Sequence, residues 1–345
     1  MKKTIVAAAA LFVASGAALA QSSVTLYGVL DASLENVKGT DSVTRIASDN
    51  YASSRLGFRG VEDLGDGLKA KFVLEHNVKV DNGAQGNTRF WDRAAWVALE
   101  GGFGELRLGR TDSAGGLLAG NSAILGSQAY DDLKIAKIFV ADKYRRLDNS
   151  ITYSLPKLVD GLTAQLQYTT AAGTSSAVGE ETADVDTGKA FGFNVQYAAG
   201  PFGAGLGYID AKADASGDTK DKGLLAYALY DFGAAKLTGY FAQDKTTGKA
   251  EKRKLYGVRV NVPVSTSFAL QASYAQVKDQ EQTANNDDDA GIFAVKGVYT
   301  LSKRTALYGL ITTVSNEANV GLNVGQAVAD DKNARGIAFG VSHKF

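Results

Sequence analysis

From Val24 onward, apolar and polar residues alternate in short runs separated by turn residues. Val24, Leu26, Leu30 and Leu34 share one phase, and Thr25, Tyr27, Asp31 and Ser33 share the other. A period of two over such a run predicts a strand with one apolar side. In Tyr51–Val61, Leu56 and Phe58 oppose Ser53, Arg55 and Arg59. Leu68–Val80 holds the pattern longest: Leu68, Ala70, Phe72, Leu74, His76 and Val78 stand against Lys69, Lys71, Val73, Glu75, Asn77 and Lys79. Arg93–Glu100 and Glu105–Arg110 read as a hairpin around Gly101–Gly104, and Asn149–Ser154, Leu162–Thr170 and Phe191–Ala199 follow. Ala204–Lys212, Leu224–Phe232, Ala235–Asp244, Lys254–Val262, Phe268–Lys278, Ile292–Leu301, Thr305–Asn316 and Ala334–Phe345 complete sixteen predicted strands. Short turns alternate with longer polar loops, and about 20 residues per strand suits an outer-membrane barrel. A water-soluble sandwich has no reason to gather every long loop at one end. The pattern predicts an all-β fold, a sixteen-stranded antiparallel transmembrane β-barrel, a size at which a barrel encloses an aqueous channel.

The alternation stops in Thr111–Arg146, TDSAGGLLAGNSAILGSQAYDDLKIAKIFVADKYRR. This stretch is about three times longer than an ordinary connection between strands, which marks it as functional or disordered. Leu117, Leu118, Ile124, Leu125, Ile135, Ile138 and Phe139 give it apolar surface to bury, which argues against disorder. It is expected to fold inward and narrow the barrel.

Composition places the chain in an exported compartment. Met1–Ala20 has basic Lys2 and Lys3, an apolar run too short to span a bilayer as a helix, and the small-x-small ending Ala18-Leu19-Ala20. Residues 1–20 are read as a Sec signal peptide cleaved after Ala20, leaving 21–345 as the barrel domain. The chain has 37 basic and 37 acidic residues, so losing Lys2 and Lys3 leaves 35 against 37, a formal net charge of −2. That balance points to no nucleic-acid partner. The absence of Cys excludes thiolate catalysis and Cys-ligated metals, and two histidines leave little room for a zinc site or a His-based triad. No cofactor is expected. In the last strand Ile337, Phe339, Val341, His343 and Phe345 share the apolar phase. A terminal aromatic strand of this kind resembles the signal that barrel-insertion machinery reads, with Phe345 as its end.

Four pieces carry a family resemblance: SSVTLYGVLDASLE at Ser22–Glu35, SSRLGFRGVEDLGDGLKAKFVLE at Ser53–Glu75, RAAWVALEGGFGELRLGR at Arg93–Arg110, and the terminal GIAFGVSHKF. With them the chain resembles a general Gram-negative porin of the β-proteobacterial type. The resemblance implies a trimer in the outer membrane, in contact with its lipid and lipopolysaccharide, whose third loop folds into the pore and which passes ions and small hydrophilic solutes. The long loop departs from many enteric porins in lacking their Pro-Glu-Phe-Gly run.

Passive diffusion needs no catalytic group, only a water-filled hole and a field across its narrowest part. Strand parity selects the wall cations. Arg55 is out of phase with Leu56 and Phe58, Arg93 is out of phase with Trp96, and Arg146 shares phase with Ser150 and Thr152. All three match basic wall positions of the family. Arg59 faces the same way as Arg55, about 13 Å along the strand. On the loop, Asp131 and Asp132 are the expected counter-charges, with Asp112 a weaker one and Lys134 and Lys137 adding positive charge. The surplus of cations predicts weak anion preference. Arg45 is assigned to an outer loop, and Asp287–Asp289 to a hydrated surface loop. The alternatives are a solute-selective channel, a barrel enzyme, and an adhesin-like protein. A barrel enzyme wants a His beside a Ser or Asp at the rim, yet His76 and His343 both share phase with apolar residues.

Overall fold

The computed structural model describes residues 23–122, 130–171, 179, 181, 183, 185–284 and 287–345. The leader at 1–20, and Ile124 and Leu125, lie outside the described residues. The strands are β1 (Ser23–Lys38), β2 (Ser42–Ser48), β3 (Arg55–Gly65), β4 (Leu68–Asn77), β5 (Ala94–Gly101), β6 (Gly104–Asp112), β7 (Arg146–Ser154), β8 (Leu162–Thr169) and β9 (Ala190–Ala199). They continue as β10 (Phe202–Lys212), β11 (Lys220–Asp231), β12 (Lys236–Thr246), β13 (Arg253–Pro263), β14 (Phe268–Lys278), β15 (Ala290–Thr300), β16 (Thr305–Asn316) and β17 (Ala334–Lys344). Neighbours pair antiparallel around the sheet, and β1 pairs with β17 from Val29↔Lys344 to Lys38↔Arg335, which closes it. Gly28 and Phe345 exchange backbone hydrogen bonds at 3.1 Å on the same seam. Closure leaves no open edge, the condition for strands in lipid.

Seventeen strands form sixteen staves, because β2 and β3 are two halves of one. β1 pairs with β2 over Ala32–Lys38 and with β3 over Ser23–Val29. Residues 49–54 leave the ladder opposite Leu30 and Asp31 and fold inward, with Asp49, Asn50, Ser53 and Ser54 buried. The sequence pattern ran this strand through Tyr51 and missed Ser42–Ser48, whose SVTRIAS has a weak apolar phase. Polar side chains hold the break. Asp49, with φ 73°, accepts from the Ser54 amide at 2.6 Å, and the Asn50 amide donates to Ser33 Oγ at 2.8 Å and to Glu35 Oε2 at 2.6 Å.

The two phases separate as a barrel requires. On β1, Leu26 and Leu34 are 54% exposed, while Asp31, Ser33 and Glu35 of the other phase are buried. Buried polar residues beside exposed leucines invert the order of a soluble core. They fit an outer face in lipid and an inner face of hydrogen-bonded side chains. Exposed aromatics cluster at the short turns: Phe103 after β5, Tyr197 and Phe202 around the β9–β10 turn, Tyr230 and Phe232 after β11, and Tyr299 at the end of β15. Such a girdle marks a membrane–water boundary.

The segment between β6 and β7 carries helices α1 (Ala114–Ser122) and α2 (Asp132–Ile135). It packs on the buried phase of strands far apart in the barrel. Tyr130 Oη donates to Glu35 on β1 at 2.9 Å, the Phe139 amide to Asp244 on β12 at 2.9 Å, and Arg253 Nη1 on β13 to the Ala136 carbonyl at 3.0 Å. α1 lies over β8–β11, seated where Gly115 and Gly207 leave room: a Cβ on Gly207 would come within 3.2 Å of Gly115 Cα. Leu118, Tyr130, Leu133 and Ile138 are at most 1% exposed and form the core with inward-facing Ile209, Leu225, Leu255 and Ile292. Each such side chain contributes on the order of 2 kcal/mol by burial. The segment is therefore anchored by apolar packing as well as by hydrogen bonds.

Candidate functional site

The inner wall of β3–β7 collects guanidinium groups. Arg55 opens β3, and Glu75 lies across from Gly57 on β4. Glu75 accepts from Arg93 Nε at 2.6 Å and from Tyr27 Oη at 2.9 Å, and stands 3.4 Å from Arg55 Nε. Arg146 opens β7 directly opposite Asp112, the last residue of β6. Its Nε is 3.1 Å from Asp112 Oδ1, and Arg145 Nη2 is 3.7 Å from Asp112 Oδ2. Arg93 lies near enough to Arg55, Arg146 and Asp112 to act on each of them electrostatically. Four guanidinium groups thus share two carboxylates, which leaves a positive excess of two charges. Their side chains remain partly exposed, from 12% for Arg93 to 29% for Arg55, so the excess charge is presented to solvent.

The structure brings Arg55, Arg93 and Arg146 together, but Arg93 gets there by another route than parity. Val97 and Leu99 are the exposed phase of β5, which turns Trp96 inward, with Arg107 4.2 Å from its ring centroid. Arg93 precedes the first residue of β5, so the strand's alternation does not govern it. Its amide donates to the Glu75 carbonyl at 3.1 Å, and that bond turns the side chain to Glu75. Arg59 lies further along β3, exposed, 5.3 Å from the Tyr27 ring. Ion pairs continue on either side. Lys71 bridges Glu100 and Glu105, with Arg107 2.6 Å from Glu105, while Asp148 takes Arg110 at 2.5 Å and Arg89 at 2.7 Å.

Asp131 and Asp132 stand elsewhere. Asp131 caps α2, its Oδ1 accepting from the Leu133 amide at 3.0 Å, and Tyr240 Oη on β12 donates to Asp132. The cation acting on both is Arg259 of β13. Both are buried, which raises both carboxyls, and Asp132 raises Asp131 further, to about 7. Asp112 is the loop-end carboxylate that meets the arginines. Lys134 pairs with Asp142. Lys137, exposed and left-handed at φ 53°, lines a cavity of 370 Å³ with Lys143, Lys249 and Arg253.

Sequence reasoning passed over Glu75, Arg145, Tyr240 and Arg259. Glu75 was legible: it alternates with Leu74 and His76 and lies across from the stretch that holds Arg55. Arg259 and Tyr240 gave no local signal, because only the folded segment brings α2 to them. Arg45 lies on β2, bonded to Glu35 Oε1 at 2.7 Å, rather than in a loop. His76 stacks on Phe90 at 4.4 Å between ring centroids, and His343 Nδ1 is 2.9 Å from Thr305 Oγ1.

A family model described as Gram-negative porin matches residues 7–319. Outer membrane porin protein 32 of Delftia acidovorans is 34% identical, with all of both chains covered, and an outer membrane porin protein of Bordetella pertussis is 28% identical, also over the whole of both. The solved structure of an anion-selective porin from Comamonas acidovorans superposes with a TM-score of 0.81 at 27% identity, covering 94% of this chain and 100% of that one. A closed barrel of sixteen staves with charged inner walls, matched along its whole length by outer-membrane porins, belongs to the Gram-negative porin family of the outer membrane.

Proposed function

We propose that this porin is a trimeric diffusion channel with weak anion preference, whose narrowest part lies between the arginines of β3–β7 and the segment that follows β6. Ions and small hydrophilic solutes pass through it, and the leader is removed after Ala20 on export. The observation that carries the reading is the gathering of Arg55, Arg93, Arg145 and Arg146 around only Glu75 and Asp112 on the inner wall. An anion entering that field meets a surplus of donors in fixed geometry, whereas a cation meets carboxylates already shared. The β6–β7 segment supports the constriction because it holds its place from the opposite wall, through Asp244 and Arg253. Arg59 and Lys137 add positive charge along the approach, while Lys134 is taken by Asp142. Asp131 and Asp132 serve the channel by orienting α2 rather than by facing the arginines. The similarity to an anion-selective porin agrees with this sign. The reading needs no catalytic group and no cofactor.

The test is the reversal potential of single channels in a potassium chloride gradient across a planar bilayer. Anion preference is expected at about 0.1 M salt and should fade at 1 M, where the Debye length drops from about 10 Å to about 3 Å. Cation preference in the unmodified channel would reject the arginine wall as the selectivity element.

A further inference from the structure

The connection between β14 and β15 contains the acidic run Asp287–Asp289, which its sequence marks as a hydrated loop. The fold treats Asp288 differently. It is 0% exposed. Its Oδ2 accepts from the Glu281 amide at 2.7 Å, and its Oδ1 has no hydrogen-bond partner. Carboxylate oxygens of Asp279, Asp288 and Asp289, one from each, lie within 4.8 Å of one another. The outer oxygens are taken: Lys254 is 3.2 Å from Asp279 Oδ2, Lys278 pairs with Asp289 Oδ2, and the Asp279 amide donates to Asp289 Oδ1 at 3.1 Å. Two of the three carboxylates are thus paired with lysines, and the third keeps a buried oxygen without a donor. Burying an ionised oxygen without a donor is unfavourable, and a bound cation or a proton would relieve it.

We propose that Asp279, Asp288 and Asp289 bind a calcium ion that fastens the β14–β15 connection. The donors are all hard oxygens, with no His or Cys among the three, which selects calcium or magnesium over transition metals. They come from a turn and not from a rigid octahedral frame, which favours the larger and less demanding ion. Backbone carbonyls and water complete the shell, as in other calcium loops. The site is tied to its surroundings. The Glu317 amide donates to the Asp289 carbonyl at 3.0 Å and the Asn319 amide to the Asp287 carbonyl at 2.8 Å, while Gln280 Nε2 reaches the Ala136 carbonyl of the β6–β7 segment at 3.3 Å. Calcium here would stiffen the loops around that segment as well as its own.

The test uses the full-length porin in detergent, stripped with a chelator and titrated with calcium chloride by calorimetry. One saturable site per chain is expected, with a Kd of about 0.1–1 mM, the range of exposed extracellular calcium modules. Asp288→Asn should weaken it by about tenfold or more, and Asp287→Asn, whose side chain is exposed, should leave it unchanged. Thermal unfolding separates lost binding from misfolding. In chelator Asp288→Asn should melt no lower than the parent, because it removes a buried charge, whereas in calcium the parent should melt higher. If Asp288→Asn does not assemble, Asp279→Asn carries the same expectation of about tenfold loss. No saturable binding by the parent up to about 10 mM, or parental affinity in the Asp288 or Asp279 variant, overturns the proposal.

Discussion

At the scale of single residues, the charge of the wall and the charge of α2 answer to different variables. Arg93→Ala and Arg146→Ala each remove one guanidinium from a group in which arginines outnumber carboxylates. Reversal potentials should shift toward cations in both, with the barrel still assembled, since the backbone ladders that close it need neither side chain. Lys157→Ala is the control, because Lys157 is 76% exposed in the β7–β8 turn and paired with Asp160. Arg45 is unsuited to that role, since it helps Tyr130 and Asn50 to hold Glu35. If Arg146→Ala and Lys157→Ala both keep the parental potential, the wall assignment fails. Asp131 brings in pH. Burial, then Asp132, raises its carboxyl to about 7. An acid whose folded pKa lies above its unfolded value weakens the fold where it is ionised, above about 7, and the cost disappears as pH falls toward its ordinary range. Asp131→Asn should therefore raise the unfolding temperature at pH 8 and leave it unchanged near pH 3. A larger gain at the acid end would contradict the burial argument.

At the scale of elements, the β6–β7 segment is held by few polar anchors and a broad apolar face. Tyr130→Phe removes the hydroxyl that donates to Glu35 and leaves that carboxylate with Arg45 and Asn50. The loss of one buried hydrogen bond to a charged group should cost about 1.5–3 kcal/mol, felt by the segment rather than by the barrel. Channels of Tyr130→Phe should show more current fluctuation, with the unfolding temperature nearly unchanged. A quiet channel with a lowered melting point would place Tyr130 in the barrel's own stability instead. How much of this was legible in sequence follows from what each element answers to. Strand phase on β1, β3, β4 and β7 could be read because lipid on one side and polar side chains on the other impose a period of two. The gap between β2 and β3 could not, because polar side chains at residues 49–54 replace the ladder and erase the alternation. Arg93 reached the wall for a reason other than phase, because it stands outside β5, and the phase taken from it put Trp96 on the wrong side. The pairing of α2 with Tyr240 and Arg259 depends on chain folding across the lumen, which no local pattern records.

At the scale of the whole molecule, the outer face raises the question of what covers it. Val24, Leu26, Phe58 and Phe339 are exposed on neighbouring strands β1, β3 and β17. Lipid alone would satisfy them. The aromatic group beside them is harder to explain by lipid. Trp91 meets Phe58 at 6.4 Å and Phe90 at 4.8 Å, both edge-on, and Phe90 is 58% exposed while stacked on His76. Trp96 points inward and is not part of this surface. A rigid aromatic group with an imidazole beneath it resembles the anchor of a protein interface more than a lipid contact. If it is the anchor, unboiled protein should run as a high-mass band on a denaturing gel and collapse to monomer on heating. Phe90→Asp should then lower the collapse temperature, since central interface aromatics are worth about 2 kcal/mol or more on truncation. Single-channel conductance should stay the same, because Phe90 is not among the wall residues. Were the patch covered by lipid instead, the same substitution would leave the collapse temperature where it is. A parental mass of one chain in mild detergent would remove the trimer altogether, leaving the arginine wall to stand on its own measurement.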